Sequence, residues 1–162
     1  MKYIILLFFI QFFQSCSSDS GLYKKSDHFV NNLLKTPLAS WNEINNAGSD
    51  YALVNNATKS IFLFNSSCRK YEGSNLNTLT SSILAGIEDA TIIERKNVFY
   101  QGREAAEITA SGNTDGVIRY FKIITIQKNS CIYDYILIST SIKNLDTDSA
   151  SFKIFLERII LI

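Results

Sequence analysis

The chain has 162 residues and a mass of 18.3 kDa, room for one ordinary domain beside any processed segment. Its composition, 46% hydrophobic, 19% charged and 12% aromatic, supplies a core and excludes a chain that is disordered throughout. The first fifteen residues hold one lysine and no acid, so the remainder is balanced at 15 basic and 15 acidic side chains. That balance gives no electrostatic drive toward nucleic acid or polybasic attachment to membranes.

The amino terminus comes first in chain order. Lys2 is followed by an apolar run of about eleven residues, Tyr3 to Phe13, and then Gln14-Ser15-Cys16. A spanning helix needs roughly 20 apolar residues, whereas this length suits the apolar region of an export signal. A buried core helix would show polar residues at helical spacing, and only Gln11 interrupts the run. The cysteine directly after it, preceded by Ser15, resembles a bacterial lipobox, with Phe13 in place of the usual Leu and Gln14 in place of a small residue. The resemblance implies cleavage before Cys16, a diacylated thiol, and an acylated amino terminus as anchor. Cleavage between Ser15 and Ser20 by ordinary signal peptidase is the other reading. Ser17 rather than Asp after the cysteine favours sorting to an outer membrane in enteric-type systems.

The expected organisation is therefore a signal peptide over residues 1–15, a lipidated Cys16 with a flexible tether over 16–27, and one α+β domain over 28–162. The tether expectation rests on the small, polar and charged stretch Ser17 to Asp27. With Cys16 acylated, Cys68 and Cys131 remain as an even pair in an oxidising compartment, bonded to each other or buried as two thiols. No CxxC or histidine-rich cluster is present, so no metal site and no cofactor are expected.

Phe29 to Leu34 suits either a helical turn or a short strand before Pro37. Ser40 to Asn46 and Tyr51 to Asn55 read as strand, turn and strand, and Lys59 to Asn65 is strand-like in its β-branched and aromatic content. Leu76, Leu79, Ile83, Leu84 and Ile87 share one face of a helix, with Ser74, Asn75 or Asn77 as its cap and Gly86 near its end. Four strand-like segments follow: Thr91 to Tyr100, Glu104 to Ser111, Val117 to Gln127 and Cys131 to Ser141. Their breaks at Gln101-Gly102, Asn113 to Gly116 and Lys128 to Ser130 are too short for parallel crossovers, so the strands form an antiparallel meander. A closing helix carries Phe152, Phe155, Leu156, Ile159 and Ile160 on one face after a cap at Asp146 or Asp148. Strands and two helices in this order make an antiparallel sheet with helices packed on it.

This order of elements, with Trp41, the strand ending at Cys68, Gly102-Arg103-Glu104-Ala105, Asp115-Gly116 and Cys131-Ile132-Tyr133-Asp134, resembles the Mog1/PsbP-like α/β/α sandwich. Small bacterial lipoproteins of the DcrB kind belong to that group. The resemblance spans roughly residues 38 to 160. It implies the fold, a disulfide between Cys68 and Cys131, and a binding or assembly role; it implies no reaction.

Candidate chemistry is sparse. His28, the single histidine, lies beside the tether, which removes imidazole-based nucleophilic dyads from the body of the domain. No phosphate-binding loop motif occurs. Glu104 and Glu107 point to opposite faces of a strand, and Glu88-Asp89 faces water. With a turn near Lys128 to Ser130, Arg119 falls opposite about Ser139 and Asp134 opposite about Ile124. Arg103 either packs its stem under a sheet edge or binds a ligand. Tyr120, Tyr133 and Tyr135, with Arg103, form the candidate binding face. The expectation is a lipid-anchored envelope protein facing the periplasm, more at the outer membrane than the inner. It would act as a non-enzymatic binding or assembly factor for an envelope protein or lipid, with no nucleic-acid partner. An envelope enzyme with a non-obvious site and a purely structural lipoprotein are the alternatives.

Overall fold

The computed structural model describes residues 29–31, 38–45, 48–68 and 75–162. The expected signal segment, Cys16, the tether, His28, Pro37 and Tyr71 lie outside the described residues. In chain order the elements are β1 (Phe29–Asn31), β2 (Trp41–Glu43), β3 (Tyr51–Asn55), β4 (Ile61–Cys68), α1 (Leu76–Ser82) with a 3-10 turn (Ile83–Gly86), β5 (Glu88–Tyr100), β6 (Arg103–Thr114), β7 (Val117–Lys128), β8 (Cys131–Ser139), α2 (Ile142–Arg158) and β9 (Ile159–Leu161). Seven strands form one antiparallel sheet in the order β2-β3-β4-β8-β7-β6-β5, and β1 pairs with β9 apart from it.

The meander is organised by three two-residue turns. Gln101 and Gly102 have φ of 48° and 72°, Asp115 and Gly116 52° and 78°, and Asn129 and Ser130 50° and 61°. Two successive positive φ values are the signature of type I′ hairpins, whose twist matches that of the flanking strands. The turns place Tyr100 opposite Arg103, Thr114 opposite Val117 and Lys128 opposite Cys131. The last turn is one residue shorter than the expected Lys128-to-Ser130 break. Register therefore moves by one: Tyr120, not Arg119, faces Ser139, and Thr125, not Ile124, faces Asp134.

Period-two alternation loads both faces of the sheet. One face carries Phe62, Phe64, Ile124, Ile126, Tyr133, Tyr135 and Leu137, packed with Leu145, Phe152, Phe155 and Leu156 of α2. The other carries Ile108, Ala110, Phe121, Ile123 and Ile136, packed with Leu84 of the 3-10 turn. Edge-to-face rings join the layers, with Trp41 and Phe155 centroids 4.9 Å apart at 87°.

The helices depart from expectation at their ends. Asn75 caps α1 by accepting from the Asn77 amide. The helix lasts only to Ser82, because the Thr80, Ser81 and Ser82 hydroxyls donate back to the Leu76, Asn77 and Leu79 carbonyls and compete with the helical ladder. Gly112 faces the point where the chain leaves this turn for β5: a Cβ there would collide with the Ile87 side chain and lie 3.2 Å from the Glu88 carbonyl oxygen. Ser141, rather than Asp146 or Asp148, caps α2, accepting from the Asn144 amide at 3.1 Å.

Asp148 instead lies within α2 at 3% exposure. It accepts from Asn55 Nδ2 at 2.8 Å and from Thr58 Oγ1 at 2.6 Å, tying the helix to the turn after β3. The apolar end also differs from the expected helix: residues Ile159–Leu161 are a strand, so Ile159 and Leu161 are buried and Ile160 faces out.

Asp148→Ala leaves the buried Asn55 amide and the half-buried Thr58 hydroxyl without their acceptor, and is expected to cost about 3 kcal/mol. Urea unfolding followed by circular dichroism measures it. Asp146→Ala, at an exposed position, serves as the control with little effect.

A candidate docking site at the hairpin-tip end

One end of the sheet collects several elements. The turns at Gln101-Gly102 and Asn129-Ser130 lie there, with the amino terminus of α1 and the β1–β9 ribbon. The ribbon is held by side chains from both turns and their flanks. Gln101 Nε2 donates to the Leu156 and Ile159 carbonyls at 2.8 and 2.7 Å, and its Oε1 accepts from the Leu161 amide at 3.3 Å. Lys128 Nζ donates to the Leu161 carbonyl at 2.8 Å, and Asn129 Nδ2 to the Ile162 carbonyl at 3.4 Å. Gln101 thus occupies carbonyls that α2 leaves open where it ends. The Cys68–Cys131 disulfide closes the same end, joining residues that face each other across β4 and β8. With a sequence separation of 63, the bond contributes about 4 kcal/mol in the chain-entropy model.

Between these elements runs a shallow groove of about 560 Å³, lined among others by Leu76, Phe99, Arg103, Gln127, Asn129 and Ser130. Phe99 is 72% exposed, an unusual position for a large ring. Arg103 is exposed beside it. The groove joins a ring face, a guanidinium and side-chain amides with Glu104, Lys128 and Ser130. Among the described residues no three His, Cys, Asp or Glu side chains gather as a metal site.

Arg103 is the one member of the expected binding face that opens onto this groove. Tyr133 and Tyr135 are fully buried, and Tyr120 is half-buried. Helix α2 crosses that sheet face, so the two tyrosines are core fillers and not an open surface. Burial pushes the Tyr135 hydroxyl up, and it donates to the Ile159 carbonyl at 3.4 Å.

Two polar sites went unrecognised in the sequence. Glu107 is buried on β6 at 5% exposure, where Lys96 Nζ reaches it at 3.0 Å and the Tyr100 hydroxyl donates at 3.5 Å. The hydrogen bond to Glu107 raises the Lys96 ammonium, and burial, then the Glu107 charge, raises the Tyr100 hydroxyl. A two-residue turn at Gln101-Gly102 places Lys96 opposite Glu107, so the signal was present once that turn type was assigned. Asp134 lies on the opposite sheet face from the tyrosines flanking it. Burial pushes its carboxyl up to about 6, although the Thr125 hydroxyl lowers it by donating at 2.8 Å.

No family model and no curated protein matches the sequence. The architecture is matched by solved structures. CyanoP, the cyanobacterial PsbP of Synechocystis, superposes with a TM-score of 0.56 at 10% identity, covering 76% of this chain and 83% of its own. LpqN, involved in cell envelope biogenesis of Mycobacterium tuberculosis, gives 0.57 at 8% identity and 82% of each chain. PA94, a protein of unknown function from Pseudomonas aeruginosa, gives 0.52 at 8% identity, covering 70% of this chain and 91% of its own. The chain has the Mog1/PsbP-like α+β fold. At such identities the likeness establishes fold alone.

Asp134 supplies a test by pH. Its native carboxyl titrates near 6 against a reference of 3.8, so between those values the folded state binds more protons than the unfolded one. The contribution of this carboxyl to stability is then greatest below its unfolded value and falls as pH rises through about 6. Asp134→Asn keeps an acceptor for Thr125 without the charge. It is expected to remove this slope and stabilise the protein at about pH 7 by about 3 kcal/mol, read from urea midpoints across the range.

Proposed function

We propose that the chain is an exported, lipid-anchored envelope protein that acts as a non-enzymatic binding or assembly factor. Cys16 carries the acyl anchor after removal of residues 1–15, residues 17–27 are the leash, and the domain faces the periplasm, with the outer membrane favoured by Ser17. The groove at the hairpin-tip end is the docking site, and Arg103 and Phe99 are its recognition residues.

The observation that carries the reading is the Cys68–Cys131 bond. It consumes the even pair of cysteines, as proteins of oxidising compartments do, and leaves Cys16 alone directly behind the apolar run. Two further points support it. Among the described residues no helix is long and apolar enough to cross a membrane. LpqN, on the same fold, is involved in cell envelope biogenesis. The groove chemistry favours docking, since a ring, a guanidinium and amides bind without a nucleophile and base in register.

The anchor is tested by metabolic labelling with radioactive palmitate. Wild-type protein is expected to incorporate label and to sediment with membranes, whereas Cys16→Ala incorporates none. Label retained on Cys16→Ala refutes the anchor.

A further inference from the structure

We infer that the hairpin-tip end is a membrane-facing surface, on which Phe99, Ile160 and Ile162 enter the lipid interface while Arg103 and Lys128 meet lipid phosphates. The inference rests on the anchor reading above and names the partner of that docking site, a phospholipid surface.

The position of the leash makes the first argument. Twelve residues separate Cys16 from Phe29, a length of chain that reaches at most about 40 Å when fully extended. Phe29 is not at an arbitrary point of the domain. It pairs with Leu161, whose carbonyl accepts from Lys128 and whose amide donates to Gln101. The leash therefore enters beside the turns at Gln101-Gly102 and Asn129-Ser130. An acyl group on Cys16 keeps this end close to the bilayer. The turn at Asp115-Gly116 lies at the far end of twelve-residue strands, about 40 Å away.

The second argument is what this end displays. Phe99 is 72% exposed, Ile162 53% and Ile160 47%. Asn129 lines the groove with Phe99 and Arg103 and its side chain donates to the Ile162 carbonyl, so the carboxy-terminal backbone adjoins the groove. Lys128 adds a second cation at the groove, and Glu104 is the acid among its lining residues. Aromatic and aliphatic side chains interleaved with cations are the composition of an interfacial surface. The balanced net charge of the body excludes attachment by charge alone. The patch works instead by shallow apolar insertion, with each cation adding attraction to anionic headgroups.

The third argument concerns effective concentration. A surface this small binds a bilayer weakly by itself. Held on a short leash, it meets the membrane repeatedly at high local concentration, so a weak contact suffices to fix orientation. The consequence is a domain standing with its long strands away from the membrane and its Asp115-Gly116 turn outermost.

The test uses the full lipidated protein, purified and reconstituted into vesicles of phosphatidylethanolamine and phosphatidylglycerol. Phe99→Cys and, as control, Asp115→Cys are each labelled with a polarity-sensitive fluorophore; Cys68 and Cys131 are bonded to one another and do not react. The expected result is blue-shifted emission at position 99 that is quenched by lipid-borne nitroxide, with water-like, unquenched emission at 115. In a second variant, Ile160→Cys labelled in an Arg103→Glu, Lys128→Glu background, the shift seen at 160 in the parent is expected to be lost. Equal emission at 99 and 115 overturns the inference, whether both are wet or both are quenched. A label at 99 that is shielded in intact envelopes but wet in pure vesicles also overturns it, and assigns the surface to a protein partner. Palmitate incorporation, measured on the same preparation, reports failure of the anchor separately from failure of the docking surface.

Discussion

Strands β5 to β8 make up most of the sheet, and each is joined to the next by a turn of only two residues. A type I′ turn leaves no slack: once both central residues take positive φ, the residue on either side is paired and the register of the whole hairpin follows. Three such turns in succession set the facing of about 45 residues, and a one-residue slip in any of them would send every later core side chain to the wrong face. The packing of α2 over Tyr133, Tyr135 and Leu137, and the burial of Ile108 and Ile123 under Leu84, depend on that register. So does the meeting of Lys96 with Glu107 and of Thr125 with Asp134.

The register also decides which groups reach the two ends of the sheet. In a meander the turns alternate, so Gln101-Gly102 and Asn129-Ser130 share one end and Asp115-Gly116 takes the other. The first end gathers what the chain must close: the disulfide, the termination of α2 and the ribbon of β1 with β9. Gln101 is central there. Its turn conformation aims a single amide side chain at three backbone groups of the carboxy-terminal segment, so the hairpin closes the helix that covers it. The outer strand β5 ends the sheet at the other lateral side, where register irregularities between Glu88 and Glu94 and the charges of Glu94, Arg95 and Lys96 discourage pairing with another edge.

The functional reading grows from the same geometry. A core filled by aromatic rings on one face leaves no open tyrosine surface, which moves the candidate site from the sheet face to the sheet end. There the requirement to exclude water relaxes. A ring such as Phe99 stays exposed beside Arg103, at the end where β1 pairs with β9. Buried polar groups elsewhere hold layers together: Asp148 joins α2 to the turn after β3, and Glu107 receives Lys96 beneath the edge.

Much of this was legible before any tertiary structure. β-Branched and aromatic content marked seven of the strands, helical spacing marked both helices, and short Gly- and Asn-containing breaks marked the hairpins. These are local or periodic properties, carried by residues close in sequence. The shorter last turn, the early end of α1, the cap at Ser141 and the strand over Ile159–Leu161 were not legible, because each is decided by competition between nearly equivalent local choices. The disulfide pairing came from resemblance and cysteine number, not from the strands themselves. Which sheet face α2 covers, and hence that Tyr133 and Tyr135 are core while Arg103 and Phe99 face outward, was settled only by packing. Periodicity shows that a strand has two faces, but it carries no information about which distant element lies on either.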